Sequence, residues 1–332
     1  MAKKKSRKRR VFLIVLLTVS GLTLLTAAFF LLVPLTEHGD ETPVEGSADW
    51  MSRLDDDLKL NRVTLPGTHD SATNYVQLSW FSKCQSLGIG EQLEAGARYL
   101  DIRLSADGDG LILTHGFTKC KSSAFGGALS LEEVLNECYA FLDAHPTETV
   151  VFAVKREQRD VSIGDMQLMI DKLVKESPSH WLLTDRIPSV GQARGKLVLV
   201  RRYNDEAGLG TDSGISFLWA DQPGHNDTSL NTVSNGNGSF DLWVQDRFEY
   251  GTDDKWNAFM TGITDNGAKD KDIALHFLST KGTAKFGHPY GFAKKLNQKL
   301  LDTPSDKLSG WIVTDFFTPS IASHIYESNF SE

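Results

Sequence analysis

Short β-branched and aromatic runs bounded by Gly, Asn, Asp and Pro recur along the chain, at residues 61–65, 98–103, 111–114, 149–155, 196–202, 241–245, 273–278 and 310–314. Runs of this kind predict strands. Several, among them TVVFAV, KLVLV and GWIVT, are continuously apolar rather than alternating, the pattern of strands covered on both faces in a parallel sheet. Between many of them apolar residues repeat at helical spacing, at 90–97, 131–145, 163–176, 253–262 and 290–301. The second of these opens with Ser130 and carries Glu133 three residues on, a capping box. Strands with interleaved helices over this length predict an α/β fold, an irregular (β/α)8 TIM barrel. It is irregular because the gap between the second and third strands is too short for a helix. An open doubly wound sheet is the rival, but no G-x-G-x-x-G turn follows the first strand and no Walker loop occurs.

The pattern is different before residue 50. Residues 1–10 form a basic segment with seven of the chain's 35 Lys and Arg and no acid, and residues 11–33 carry no charge. About 20 apolar helical residues cross a bilayer, whereas the apolar part of a secretory signal runs to roughly 7–15 residues. No small-x-small cleavage site follows, so 11–33 reads as a transmembrane anchor. Its basic flank stays cytoplasmic and the remainder faces outward; a cleaved segment would make the protein secreted instead. Residues 34–49, acidic and poor in apolar residues, read as a flexible stalk. No comparable linker divides 50–332, which reads as one barrel domain. Residues 224–238, rich in Gly, Asn, Asp and Ser, read as a surface loop.

Charge and cysteine content narrow the classes. Beyond the first ten residues, 28 basic residues face all 43 acids, a net of −15. Such a body does not suit nucleic acid, which needs a basic face. Cys84, Cys120 and Cys138 are the only cysteines. The first two lie in polar, loop-like sequence and are the preferred pair if a disulfide forms; Cys138 falls in a helical pattern. No cysteine or histidine cluster has zinc-ligand spacing.

Candidate chemistry gathers where the strand-like runs end. His69 and Asp70 follow the first, Arg103 ends the second, and His115 ends the third. Lys155 and Glu157 end the fourth, Arg202 the fifth, Asp246 the sixth, and Asp315 the last. In a barrel, catalytic groups project from the C-terminal ends of several strands. Two imidazoles and a guanidinium suit cleavage of a phosphodiester. One imidazole takes a proton from the attacking hydroxyl, the other gives one to the leaving alkoxide, and a planar guanidinium matches the charged phosphoryl oxygens. Asp70 and Asp315 are the carboxylates available to orient the rings.

The segments PGTHDS, DIR, THG, VKRE, RRY, Trp219-x-Asp221, VQD and a last strand ending in Asp occur in that order between about Trp50 and Phe317. Together they resemble bacterial phosphatidylinositol-specific phospholipase C. The resemblance implies that His69, oriented by Asp315, is the general base acting on the inositol 2-hydroxyl. It implies that His115, supported by Asp70, is the general acid, and that Arg103, held by Asp101, stabilises the phosphate. Lys155, Glu157, Arg202, Trp219, Asp221 and Asp246 would line the inositol pocket. Phe248 stands where the family usually has Tyr, keeping a ring face without its hydroxyl. Calcium-dependent relatives carry a carboxylate where Arg103 stands, so the resemblance implies no metal and no cofactor. The implied partner is phosphatidylinositol in membranes, with glycosyl-phosphatidylinositol anchors sharing the scissile linkage. Trp80, Phe81, Phe117 and Phe125 are candidate rim contacts with a bilayer, or else pack beneath their own loops. The implied activity is cleavage of phosphatidylinositol to diacylglycerol and inositol 1,2-cyclic phosphate. The alternatives are another barrel phosphodiesterase, acting on glycerophosphodiesters or sphingomyelin, and a catalytically silent surface lipid-binding module.

Overall fold

The computed structural model describes residues 2–224, 231–234, 241–264, 271–284 and 287–331. Its centre is a curled, mostly parallel sheet. The strands are β1 (Leu65–Thr68), β2 (Tyr99–Asp107), β3 (Gly110–His115), β4 (Thr118–Lys119), β5 (Thr149–Arg156), β6 (Trp181–Leu182), β7 (Lys196–Arg201), β8 (Ile215–Ser216), β9 (Asn231–Ser234), β10 (Asp241–Gln245), β11 (Ile273–Phe277) and β12 (Trp311–Thr314). Their order across the sheet is β6-β7-β5-β2-β1-β12-β11-β10-β9, with β8 parallel to β7. A bridge between Gln222 and Arg247 brings the chain beyond β8 against the end of β10 and rounds off the curl. The arrangement is an α/β fold of half-barrel form, and the continuous apolar runs are its walls. Every residue of β1 and β12 is buried, as are the first six of β5.

The principal helices are α1 (Ala2–Leu32), α2 (Ser79–Ser82), α3 (Ile89–Glu94), α4 (Leu131–Ala144), α5 (Ile163–Glu176), α6 (Val190–Ala193), α7 (Thr252–Thr264), α8 (Pro289–Leu301) and α9 (Pro319–Tyr326). The capping box at α4 forms as the sequence predicts. The Glu133 amide donates to Ser130 Oγ at 3.2 Å, and the Ser130 amide donates to Glu133 Oε2 at 2.8 Å. A cap of this kind contributes about 1 kcal/mol. It directs the Leu131, Val134, Leu135, Cys138, Phe141 and Leu142 face onto the sheet.

Three strand expectations change. The first strand begins only at Leu65, because Leu60–Arg62 is a 3₁₀ turn. Residues 111–114 belong to β3, which runs antiparallel to β2 with Leu113 opposite Leu104 and so is not a barrel strand. Two further parallel strands flank β7, β6 and β8, each only two residues long, too short to stand out as apolar runs. The 224–238 loop is described only at its first residue and at β9, which pairs antiparallel with β10.

Among the described residues one helix is long and apolar enough to cross a membrane, within Arg10–Thr36, at a mean hydropathy of 2.4. The chain after it is not solvated throughout. Pro34, Glu37 and Ser47 are buried. The three cysteines are free and buried, so the Cys84–Cys120 pairing does not form; each thiol packs in its own surroundings.

Candidate active site

Strand register assembles the site. Thr68 of β1 pairs with Thr314 of β12, so the next residues along, His69 and Asp315, leave the sheet side by side. His69 Nδ1 lies 2.7 Å from Asp315 Oδ1. Both strands then turn sharply, with Asp70 and Phe316 in left-handed backbone at φ 44° and 47°. Asp tolerates that region better than most residues, whereas a bulky Phe there is strained, and such strain gathers at functional sites. Gln85, fully buried, fastens the two exits. Its amide nitrogen donates to the carbonyls of His69 and Thr314, and its oxygen accepts from the Phe317 amide.

On β2, Asp101 and Arg103 share one face. Arg103 donates to Asp101 Oδ2 through Nε at 3.1 Å and Nη2 at 2.9 Å, and Nη2 also reaches His69 Nε2 at 2.8 Å. That last contact makes Nε2 an acceptor, with the proton on Nδ1 toward Asp315. Arg103 Nη1 sits 3.1 Å from Asp70 and 3.7 Å from Glu157. The β2–β3 hairpin runs out and returns, bringing His115 back to the rim. Its Nδ1 donates to the Ser82 carbonyl at 2.8 Å, and its Nε2 lies 3.4 Å from Asp70 Oδ2. The same Asp70 oxygen is 3.3 Å from His69 Nε2, so it meets both rings at Nε2. The His69 and His115 ring centroids are 6.3 Å apart.

Adjacent strands continue the rim. Arg103 pairs with Lys155, and Val154 with Arg201, which puts Arg202 level with Lys155. Lys155 Nζ is 3.1 Å from Glu157 Oε2. Arg202 lies 3.8 Å above the Trp219 ring and reaches Asp221 at 3.3 Å and Asp246 at 3.6 Å. Trp219 Nε1 donates to Asp246 Oδ2 at 3.1 Å. His69, Arg103, His115, Lys155, Arg202, Asp221, Asp246, Phe248 and Asp315 line one open cavity of about 300 Å³, the lower end of small-molecule sites. Asp70, Asp101, Glu157 and Trp219 stand behind that lining as partners of residues within it.

Charge is unevenly settled here. Burial works against ionised groups throughout. The Arg103 guanidinium overcomes it for Asp101, whose carboxyl is held well below the usual range, and for Glu157, lowered to about 2. For Asp70 burial wins over Arg103 and both imidazoles, and its carboxyl is raised. His69 is raised because Asp315 and Asp70 outweigh burial and Arg103. Arg103 itself, despite burial, is held as a cation by Asp101, Asp70 and Glu157.

Some contributors carry no sequence signal. Ser82 offers only a carbonyl. Ser71 holds the Asp101 amide with its hydroxyl at 2.8 Å. Lys255, fully buried on α7, donates to the side-chain oxygen of Gln245 at 2.9 Å and to the Arg247 carbonyl at 3.1 Å, holding the residues on either side of Asp246; burial lowers its ammonium to about 7. Cys84 lines the cavity with its sulfur 3.9 Å from His115 Nδ1. His69, Asp70 and Cys84 bring one possible metal-ligand atom each within 4.8 Å of one another, a donor set acceptable to zinc. The same space holds the Arg103 cation, which opposes a second positive charge.

Residues 66–203 match the family model described as phosphatidylinositol-specific phospholipase C, X domain. The chain is 27% identical over 321 residues to a 1-phosphatidylinositol phosphodiesterase of Staphylococcus aureus strain Newman, covering 88% of this chain and 97% of that protein. A 1-phosphatidylinositol phosphodiesterase of Listeria monocytogenes is 30% identical over 192 residues, 53% of this chain and 57% of the relative. A crystal structure of the Staphylococcus aureus phosphatidylinositol-specific phospholipase C superimposes with a TM-score of 0.70 at 23% identity, covering 84% of this chain and 98% of that one. The Listeria enzyme gives 0.65 at 22% identity, over 85% and 98%. The curled sheet and its helices are therefore the fold of those structures.

Proposed function

Because the chain is a homologue of the bacterial phosphatidylinositol-specific phospholipases C, we propose that it cleaves phosphatidylinositol by intramolecular transfer, releasing diacylglycerol and inositol 1,2-cyclic phosphate. The observation that carries the reading is the convergence of two imidazoles and one guanidinium on a single cavity. His69 Nε2 accepts the proton of the inositol 2-hydroxyl as that oxygen attacks phosphorus. Asp315 holds the imidazolium that results. His115 Nε2 gives its proton to the glycerol oxygen as the phosphorus–oxygen bond breaks. Arg103 meets the charge gathering on the non-bridging oxygens, where preorganised donors contribute most. Asp70 lies between both rings, and Asp101 fixes the arginine fork. Lys155 and Arg202 donate to ring hydroxyls, Asp221 and Asp246 accept from them, and Phe248 offers a flat face; Glu157 and Trp219 hold the cations in place. Water can reopen the cyclic ester at the same groups in reverse roles.

With Arg103 as the cation, no metal is required. Phosphatidylinositol incubated with the protein and EDTA should give a phosphorus NMR signal of the cyclic phosphate at an unchanged rate. A rate abolished by EDTA and restored by zinc would favour the second reading, a metal-dependent phosphodiesterase built on His69, Asp70 and Cys84.

A general base must be neutral to act. Since Asp315 and Asp70 raise His69 above its ordinary 6.5, kcat/KM should fall on the acid side with a midpoint above 6.5. Asp315→Asn removes the largest upward pull and should move that midpoint down. A midpoint unmoved by the substitution would separate the acid limb from His69.

We extend the reading to the whole chain. Residues 1–10 stay cytoplasmic, 11–33 anchor the protein, and the barrel domain from residue 50 faces outward, where phosphatidylinositol and glycosyl-phosphatidylinositol anchors are the accessible lipids.

A further inference from the structure

The segment joining α1 to the barrel is fixed to the rim by interactions of several kinds. Phe29 and Phe30, near the end of α1, each lie 5.1 Å from the Trp80 ring on α2, and Phe30 is 6.0 Å from Phe81. Trp80 in turn stacks on His288 at 3.9 Å and 9°. His288 Nε2 meets Glu37 Oε1 at 2.7 Å. Lys83, buried, donates to the carbonyls of Pro34 at 2.8 Å and Glu37 at 3.1 Å. Tyr290 donates to the His38 carbonyl. Phe81 and Pro289, part of this same rim, line the catalytic cavity.

A solvated stalk makes no such contacts. The buried lysine is satisfied by carbonyls from residues 34 and 37, so removing the segment would leave a buried cation without those acceptors. At about 1.5 Å per residue, Phe30 lies within roughly one turn of the end of α1, and α2 therefore sits at the depth where the apolar run gives out. Trp favours that interfacial depth.

We propose that α1 is docked on the barrel rim through α2 and the 34–38 segment, so that the chain's own anchor holds the cavity mouth against the outer surface of the bilayer it spans. The enzyme then works on lipids of that membrane and not on those of a neighbouring one. This rests on the phospholipase reading and on α1 as a membrane span. It goes beyond both, because a free stalk of sixteen residues, at up to about 3.3 Å each, would let the mouth turn to other surfaces. Tethering fixes instead the local lipid that the site meets.

The test uses the full chain in phosphatidylinositol vesicles, mixed with acceptor vesicles carrying a differently labelled phosphatidylinositol. Cleavage in the protein's own vesicles should exceed that in acceptors by about tenfold or more; equal rates overturn the docking. Glu37→Ala with His288→Ala should bring the two rates within about twofold while leaving hydrolysis of soluble inositol 1,2-cyclic phosphate unchanged. An unmoved ratio counts against the proposal. Independently of activity, Phe30→Cys with Trp80→Cys should be joined in membranes by a short bismaleimide, and neither single variant should be. The joined product is read after cutting at a protease site introduced among the exposed residues 41–43. Cross-linking without lipid cleavage would leave the docking standing and remove the phospholipase reading. Cleavage of both vesicle populations without cross-linking would do the reverse.

Discussion

Replacing His115 by Ala should lower cleavage of phosphatidylinositol by about 10²–10⁴-fold, the usual worth of a positioned proton donor. The same variant should lose far less with an inositol phosphodiester whose leaving group is a nitrophenolate, since that anion departs without a proton. Replacing His69 should cost a similar factor with both substrates, because the 2-hydroxyl must be deprotonated whatever leaves. The two losses should not multiply in the double variant, as the rings act on one transition state. Equal leaving-group sensitivity in the two single variants would overturn the division of labour between base and acid. Stopped assays with both substrates, beside circular dichroism of each variant, make the comparison.

The second large effect belongs to Arg103. Its guanidinium stands among Asp70, Asp101 and Glu157, with Nη2 2.9 Å from Asp101 and Nη1 3.1 Å from Asp70. Arg103→Ala removes the donors proposed to meet the phosphoryl oxygens, and each such donor is worth about 10²–10³ in kcat. It also leaves buried carboxylates without their cation, which costs about 3–5 kcal/mol when one partner of a buried pair is removed. The variant should therefore unfold at markedly lower temperature as well as lose turnover. Arg103→Lys separates the two losses. A point charge restores much of the stability, but it cannot span two oxygens as a planar fork does, and activity should stay low. A lysine variant with wild-type turnover would remove the bidentate role. Thermal unfolding and kcat on the same preparations decide it.

How much of this was legible in the residues follows from what each signal depends on. Continuous apolar runs mark buried parallel strands whatever surrounds them, so β5, β7, β10, β11 and β12 stand where the pattern predicts. β8 escapes because two residues make no pattern. β3 misleads because an apolar run has no direction, and only the pairing of Leu113 with Leu104 shows that it runs backward. The site residues His69, Arg103, His115 and Asp315 are visible as charges ending apolar runs. Arg98, five positions before Arg103 in the same strand-like run of sequence, is no less charged, although β2 begins only at Tyr99. It is fully buried with Glu148 at 2.7 Å, a structural pair away from the cavity, and nothing local distinguishes the two arginines. Ser82, Gln85 and Lys255 were illegible for a related reason, because a carbonyl, a side-chain amide and an ammonium each act on partners that only tertiary folding brings near.

The return of β3 alongside β2 has a mechanical consequence. Arg103 and His115 ride on one covalent ribbon, whose strands are held about 4.8 Å apart by ladder hydrogen bonds. If the wall breathes, Arg103 and His115, the proposed phosphate clamp and proton donor, travel together. The side of the cavity proposed for inositol is closed differently, by the bridge between Gln222 and Arg247. On the proposed function, enlarging the headgroup accepted is therefore a matter of loosening that far seam, where Asp221 and Asp246 stand, while the groups proposed to hold the phosphorus stay undisturbed.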